Sequence, residues 1–196
     1  AADPSIKIGA VVFPHDGNHN NWTRRVLQEV ENTADFLIIH DYFKRKNNPN
    51  NVTFPEMMIA VSEVQQDVNN VNAMVSSYTS KPSGYFPIAM TEYNSKTGER
   101  EIAMANAIFI ARVLGEQIKH QIGMSLIWSF QNGLDSYGGD HGITARNSTI
   151  VPKNTPRPVY FVNRYMNQFF GDKMIWSYSN DTSINSYVTK LSLIHI

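Results

Sequence analysis

The sequence predicts an α/β fold in which a parallel sheet carries helices along its connections. Two observations predict it. Four compact apolar runs recur along the 196 residues, each separated from the next by a stretch with helical periodicity. Each run also passes at its C-terminal end into polar or ionisable residues, the end at which parallel sheets gather their chemistry. A third feature sets the limit of this region: after about residue 172 the pattern changes to short alternating segments, which predicts antiparallel β structure.

Residues 6–13 (IKIGAVVF) form the first run and read as a buried strand ended by Pro14. Trp22, Val26 and Val30 recur at spacing four, with Leu27 beside them, and predict one amphipathic helix. Residues 34–40 (ADFLIIH) are the second strand, running into His40-Asp41-Tyr42. Met57, Val61, Val64, Val68, Val71, Val75 and Tyr78 fall at steps of three and four, which predicts one long helix with a buried stripe. Residues 86–95 (FPIAMTEYNS) are the third strand and carry Glu92. A helix over 101–120, apolar on most sides, is expected to be buried on more than one face, with Gly123 as its stop. Residues 124–130 (MSLIWSF) are the fourth strand, followed by a glycine-rich loop, SYGGDHG at 136–142. That loop lacks the helix, Lys and Ser/Thr of a phosphate-binding loop. Residues 159–170 predict a last helix, stopped by Gly171, and segments 173–178 and 183–189 are the short β elements.

Four strands joined by helices predict parallel pairing with right-handed crossovers. Two architectures fit: half of an eight-stranded barrel, or a four-stranded open sheet. No glycine fingerprint follows the first strand, which disfavours a dinucleotide fold. The chain begins without Met and stops inside a β region, so half of a barrel, within a longer protein, is the expectation.

Composition narrows the functional classes. With 42% apolar residues there is material for one sizeable core. Seventeen basic residues balance seventeen acidic ones, so there is no electrostatic footing for a nucleic-acid partner. No apolar run is long enough to span a bilayer, which gives no membrane partner. The absence of cysteine excludes disulfides and thiolate zinc sites. No cofactor is expected. His15, Asp16 and His19 invite a metal reading, but Pro14 and Gly17 oppose the helical geometry that aligns such ligands, and no metal is expected.

The chemistry centres on Glu92. A carboxylate at the end of a buried strand is costly unless it is paired or used. The four strand ends bring to one place His15 and Asp16, His40 and Tyr42, Glu92 with Tyr93 and Asn94, and Trp128 with Asn132. A carboxylate ringed by tyrosine, histidine, asparagine and a tryptophan face suits sugar chemistry. The carboxylate serves an anomeric carbon, a tyrosine hydroxyl keeps it ionised, and the indole offers an apolar platform to a sugar ring. Plainer readings stand beside these: Glu92 as a carboxylate paired with Arg100 or Lys96, His40 as a hydrogen-bonded core histidine, Trp128 as packing. Asp140 and His141 either shape the cleft or contact a substrate.

At these residues the chain resembles a known family. Ala89-Met90-Thr91-Glu92-Tyr93-Asn94 is similar to the nucleophile motif of retaining clan A glycoside hydrolases with (β/α)8 barrels. His40-Asp41-Tyr42, the tryptophan of Leu126-Ile127-Trp128-Ser129-Phe130, and the Gly-Gly-Asp-His-Gly loop match in the same order. Arg157-Pro158-Val159-Tyr160 and Phe169-Phe170-Gly171-Asp172 resemble the arabinofuranosidase-like, or agarase-like, branch. The resemblance implies that residues 1–171 are the C-terminal half of the barrel, strands five to eight. Residues 172–190 begin a β-sandwich, and 191–196 (LSLIHI), similar to a translated sequencing adaptor, are a scar. It implies Glu92 as the nucleophile, Tyr42 as the group that orients it, His40 beside the sugar and Trp128 as the floor of the subsite. His15, Tyr93, Asn94, Asn132, Asp140 and His141 complete the substrate-binding candidates. The implied partners are a carbohydrate substrate and the N-terminal half of the barrel; the implied location is extracellular or periplasmic. The family's acid/base, an Asn-Glu pair, occurs nowhere in this sequence.

Removing residues 191–196 is expected to change the free energy of unfolding by no more than about 0.5 kcal/mol, as for surface changes outside a packed core. Thermal unfolding of the chain with and without them measures this.

Overall fold

A computed structural model describes residues 3, 5–15, 21–146, 151–171, 173–181 and 184–190. Asp16 and His19, and the proposed scar at 191–196, lie outside the described residues.

The apolar runs do form the sheet. Strands β1 (Gly9–Val11), β2 (Phe36–Phe43), β3 (Ile88–Ser95) and β4 (Met124–Ile127) lie side by side in sequence order, every pair parallel. The connections carry helices α1 (Trp22–Val30), α2 (Phe54–Ala60), α3 (Glu63–Tyr78) and α4 (Met104–Lys119). After β4 come α5 (Pro158–Phe169) and an antiparallel pair, β5 (Lys173–Ile175) and β6 (Val188–Lys190).

The helices cover one face. Val12, Leu37, Ile39, Phe43, Ile88, Met90 and Tyr93 point from the strands into a core with Leu27 of α1, Val64 and Val71 of α3, and Phe109 and Val113 of α4. Phe43 and Phe109 meet edge to face, with ring centroids 5.8 Å apart. The alternate strand residues, Val11, Phe36, Ile38, Met124 and Leu126, are apolar yet only half-buried or exposed. This face carries no helix layer among the described residues.

Several boundaries move, each for a local reason. The single long helix expected over 57–78 is two. Thr53 and Glu56 form a capping box that starts α2, and an i–3 hydrogen bond from Ser62 N–H to the Ile59 carbonyl breaks the run. The buried stripe continues across the break, which is why the periodicity looks unbroken. Helix α4 starts at Met104 rather than 101, because Glu101 turns its side chain back on its own turn: Oε1 accepts the N–H groups of Thr97 (2.9 Å) and Gly98 (3.2 Å). Past α4 the left-handed residue is Gln121, φ 59°, not Gly123. Strand β2 extends to Phe43, three residues beyond the expected end, since Asp41, Tyr42 and Phe43 pair with Tyr93, Asn94 and Ser95. Strand β4 stops at Ile127; the Trp128–Ser129 peptide that follows is cis.

Tyr187 docks the small β element on the helix layer. Its hydroxyl donates to Glu116 Oε1 at 2.9 Å, and its ring covers Gly115, where a β-carbon would stand 2.6 Å from it.

Gly98 sits at φ 61°, and a β-carbon there would strike the Asn50 side chain. That side chain ties three loops: its Oδ1 accepts Glu99 N–H (2.9 Å) and its Nδ2 donates to the Tyr137 carbonyl (3.0 Å). Gly98→Ala is therefore expected to cost about 1–3 kcal/mol, from left-handed strain and the displaced amide together. Denaturant unfolding reads the loss as a lower midpoint with an unchanged slope.

Candidate functional site

The site is built at the C-terminal ends of β2 and β3, and a bulge aims it. Ile39 pairs with Met90, but the next residue, His40, pairs with Glu92; against β4, Met90 and Tyr93 face Ser125 and Ile127. Strand β3 thus holds one extra residue against both neighbours, at Thr91 or Glu92. A bulge lets two successive side chains face the same way. Before it, Ile88 and Met90 fill the core; after it, Tyr93 and Ser95 do, while Thr91 and Glu92 both stay half-buried on the other face.

Both meet His40. Its Nε2 hydrogen-bonds Thr91 Oγ1 at 2.8 Å, and its Nδ1 lies 3.8 Å from Glu92 Oε2. The Tyr42 hydroxyl donates to that same carboxylate oxygen at 3.0 Å. Burial, and then the hydrogen bond to Glu92 and its charge, raise the Tyr42 phenol well above its ordinary value. Tyr42 therefore stays a hydrogen-bond donor through neutral pH, and a donor is what an anionic carboxylate needs. Arg100, one of the expected partners of Glu92, instead donates to the Asn50 carbonyl at 2.9 Å.

A second ring holds Tyr42 and the loops. The His141 ring lies against Tyr42, centroids 5.1 Å apart, and its Nε2 faces the buried Glu101 Oε2 at 3.4 Å. Asn94 is fully buried, and its amide joins three segments. Nδ2 donates to the carbonyls of Trp128 (2.7 Å) and His141 (3.1 Å), while Oδ1 accepts Asn106 Nδ2 (3.1 Å). Asp140 is 2% exposed, pairs with Arg157, and accepts the Gly142 N–H at 2.7 Å. It shapes the loop that carries His141.

The sequence-level candidates therefore divide. Glu92, Tyr42, His40 and His141 come together. Trp128, 44% exposed just past β4, stands one hydrogen-bonded strand away, with its backbone N–H on the Tyr93 carbonyl. Asn132 lies half-buried in the turn beyond it. His15 lines a cavity of about 520 Å³ with Phe13, His40, Tyr42 and Arg45. Tyr93 turns the other way. It is 1% exposed in the core, hydrogen-bonds Ser125, and burial raises its phenol to about 12. Asn94 and Asp140 have their polar atoms engaged by the protein and serve as braces. Thr91, Glu101, Asn106 and the partnership of Arg157 with Asp140 were not singled out from sequence; for Thr91 and Asn106 only a polar residue inside an otherwise apolar strand or helix marks them. Among the described residues no three His, Cys, Asp or Glu side chains gather as metal ligands. A larger hollow of about 760 Å³ lies between α4 and α5, walled by apolar residues such as Met104, Phe161 and Met166. It holds no carboxylate.

No family model and no curated protein matches the chain. Solved structures do. The α-L-arabinofuranosidase of Thermotoga maritima, in its arabinose complex, superposes with a TM-score of 0.62 at 18% identity, over 88% of this chain and 33% of that one. A family 39 β-xylosidase from Caulobacter crescentus gives 0.54 at 19% identity, over 84% and 33%. A family 44 endoglucanase from Clostridium acetobutylium gives 0.57 at 17% identity, over 91% and 38%. At such identities the likeness is one of fold: the four-stranded parallel sheet and its helices match part of a glycoside hydrolase barrel domain. The chain spans about a third of the length of these proteins.

The Asp140–Arg157 pair generates a test of the brace. Arg157→Met leaves a buried carboxylate without its partner and is expected to cost about 3–5 kcal/mol. Adding Asp140→Asn removes the unpaired charge and recovers most of that loss in the same unfolding measurement.

Proposed function

We propose that this chain is the nucleophile-bearing part of a retaining glycoside hydrolase. One observation carries the reading: the Glu92 carboxylate stands at a strand's C-terminal end with the Tyr42 hydroxyl 3.0 Å from Oε2, in a fold shared with glycosidases. Retaining hydrolysis needs a carboxylate that is ionised, aimed and half-buried, so that it attacks the anomeric carbon as the glycosidic oxygen leaves. Tyr42 holds the attacking oxygen in place, His40 borders it, and the exposed Trp128 indole offers a face to the sugar. Collapse of the covalent glycosyl intermediate by water then regenerates Glu92.

The other half of the chemistry lies elsewhere. Protonating the leaving oxygen needs a second carboxyl group about 5–5.5 Å from the nucleophile. In this reading it comes from further strands that complete the barrel over the apolar face of the sheet; the half-exposed Val11, Met124 and Leu126 support such a cover. This chain alone is therefore inactive in the proposal. In this reading residues 172–190 begin an accessory β domain. An O-linked arabinofuranoside in a polysaccharide or oligosaccharide is the substrate class put first, from the fold shared with arabinofuranosidases; agar-type galactans are not favoured by these likenesses. A polymeric substrate places the protein outside the cell or in the periplasm.

The test uses the longer protein. Glu92→Gln is expected to fold and bind substrate while kcat/KM falls by about 10⁴-fold or more, the scale for losing a covalent nucleophile. Glu92→Gly with azide and an activated arabinofuranoside regains turnover and releases a product of inverted configuration. Nuclear magnetic resonance of the first wild-type product shows a retained anomer. An inverted first product, or near-normal turnover in Glu92→Gln, overturns the assignment. Sugar binding without turnover in the wild type identifies a non-catalytic binding protein of the same fold.

A further inference from the structure

Beside Glu92 the strand ends enclose a second space. The cavity of about 520 Å³ lies at the ends of β1 and β2, and two of its lining residues, His40 and Tyr42, are those that meet Glu92. Trp128 lies past β4, on the opposite side of β3. A chain-like ligand that rests on Trp128 and Glu92 meets this cavity as it continues across the strand ends, which are spaced about 4.8 Å apart.

Its walls are fixed from behind. The buried Thr23 hydroxyl of α1 accepts the Phe13 N–H at 2.9 Å and donates to the Phe13 carbonyl at 3.0 Å. The His15 side chain is 59% exposed, yet its Nε2 lies 3.2 Å from Oδ1 of the fully buried Asp67 and its Nδ1 3.3 Å from Asn70 Nδ2. Both ring nitrogens therefore face α3, and the ring itself is left to the cavity. The wall after β2 is charged. Lys44 holds a left-handed backbone, φ 54°, and its N–H reaches Glu63 Oε2 at 3.4 Å. Such a backbone is costly for a residue with a β-carbon and recurs where function keeps it. The Lys44 ammonium has no hydrogen bond or ion pair among the described residues. Arg45 Nη2 stands 3.8 Å from Asp41 Oδ1, too far for a hydrogen bond. Lys44, Arg45, Asp41 and Glu63 thus offer the cavity both signs of charge, with donors and acceptors to spare.

We infer that this cavity is the subsite for a second, uncharged sugar unit, the one on the leaving-group side of the bond that Glu92 attacks. Hydroxyl groups donate and accept together, so they satisfy the cations and the carboxylates at once. A sugar bearing a carboxylate instead brings a further anion to Asp41 and Glu63, while Arg45 already donates Nε to the Tyr42 carbonyl at 3.0 Å. Phe13 and Tyr42 add apolar surface for the C–H face of the ring. The arabinofuranosyl unit rests on Trp128, and the sugar to which it is linked fills the cavity. Lys44 and Glu63 determine specificity there, and Asp67 positions His15. The place of the bond rests on the proposed role of Glu92; the preference of the cavity for a neutral sugar does not.

Calorimetry on the longer protein carrying Glu92→Gln tests this with three probes: nitrophenyl arabinofuranoside, arabinofuranosyl-glucose and arabinofuranosyl-glucuronate. The glucose disaccharide is expected to bind about tenfold more tightly than the glucuronate one, the scale of one hydrogen bond gained or lost. Adding Glu63→Ala or Lys44→Gly weakens the glucose disaccharide by a similar factor and the nitrophenyl glycoside by much less. Lys44→Gly also removes the left-handed strain, so it retains the fold while losing the ammonium. Equal losses for the disaccharide and the nitrophenyl glycoside overturn the inference. So does tighter binding of the glucuronate, or a glucose disaccharide that binds no better than the nitrophenyl glycoside. Turnover by Glu92→Gln overturns the nucleophile assignment instead, and the comparison of the two disaccharides still decides what the cavity takes.

Discussion

The structure depends on one extra residue in one strand. The bulge at Thr91–Glu92 lets β3 bury Ile88, Met90, Tyr93 and Ser95 in the helix-side core while both bulge residues face away from it. Without it, simple alternation places Glu92 with Met90 and Ile88 in the core and turns Tyr93 outward. A carboxylate in that core would be a buried charge with no partner, and the large phenol would be lost from the packing. The bulge satisfies both demands, and it leaves Thr91 and Glu92 side by side against His40.

Around that point the polar groups are arranged in order of exposure. Glu92 and His40 are open enough to meet a ligand, and Tyr42 connects them to the protein. Behind Tyr42 stand His141 and the buried Glu101 on one side and Arg45, beside Asp41, on the other. The Asn94 side chain ties β3 to the carbonyls of Trp128, just past β4, and of His141, and to Asn106 of α4, so the loops at the strand ends are held to the strand that carries Glu92. Buried polar groups are costly unless satisfied, and here each satisfied one also fixes a distance in the site.

The open apolar face is the other physical constraint. A parallel sheet is ordinarily covered on both faces, since its strands are apolar on both. Here helices cover one face, and Val11, Met124 and Leu126 remain exposed on the other. The same strands that read as buried on both faces in sequence are therefore half-buried in this chain, which fits a likeness that covers about a third of each matched protein.

The amino-acid sequence by itself determined the element types, the parallel order and the carboxylate at the end of the third strand. These depend on local periodicity and on the chemistry of a strand end, both legible in a short window. It also brought forward Tyr42 and His40, because strand ends in a parallel sheet converge, and His141 through the glycine-rich loop on which the family resemblance partly rests. Only the tertiary structure decided which way Tyr93, Asn94 and Asp140 point. Tyr93 follows a bulge that cannot be read from one strand alone, because a bulge exists only as a mismatch with the neighbouring registers. Asn94 and Asp140 are polar residues of the kind that contact sugars, but Asn106 and Arg157, 12 and 17 residues away, engage them first.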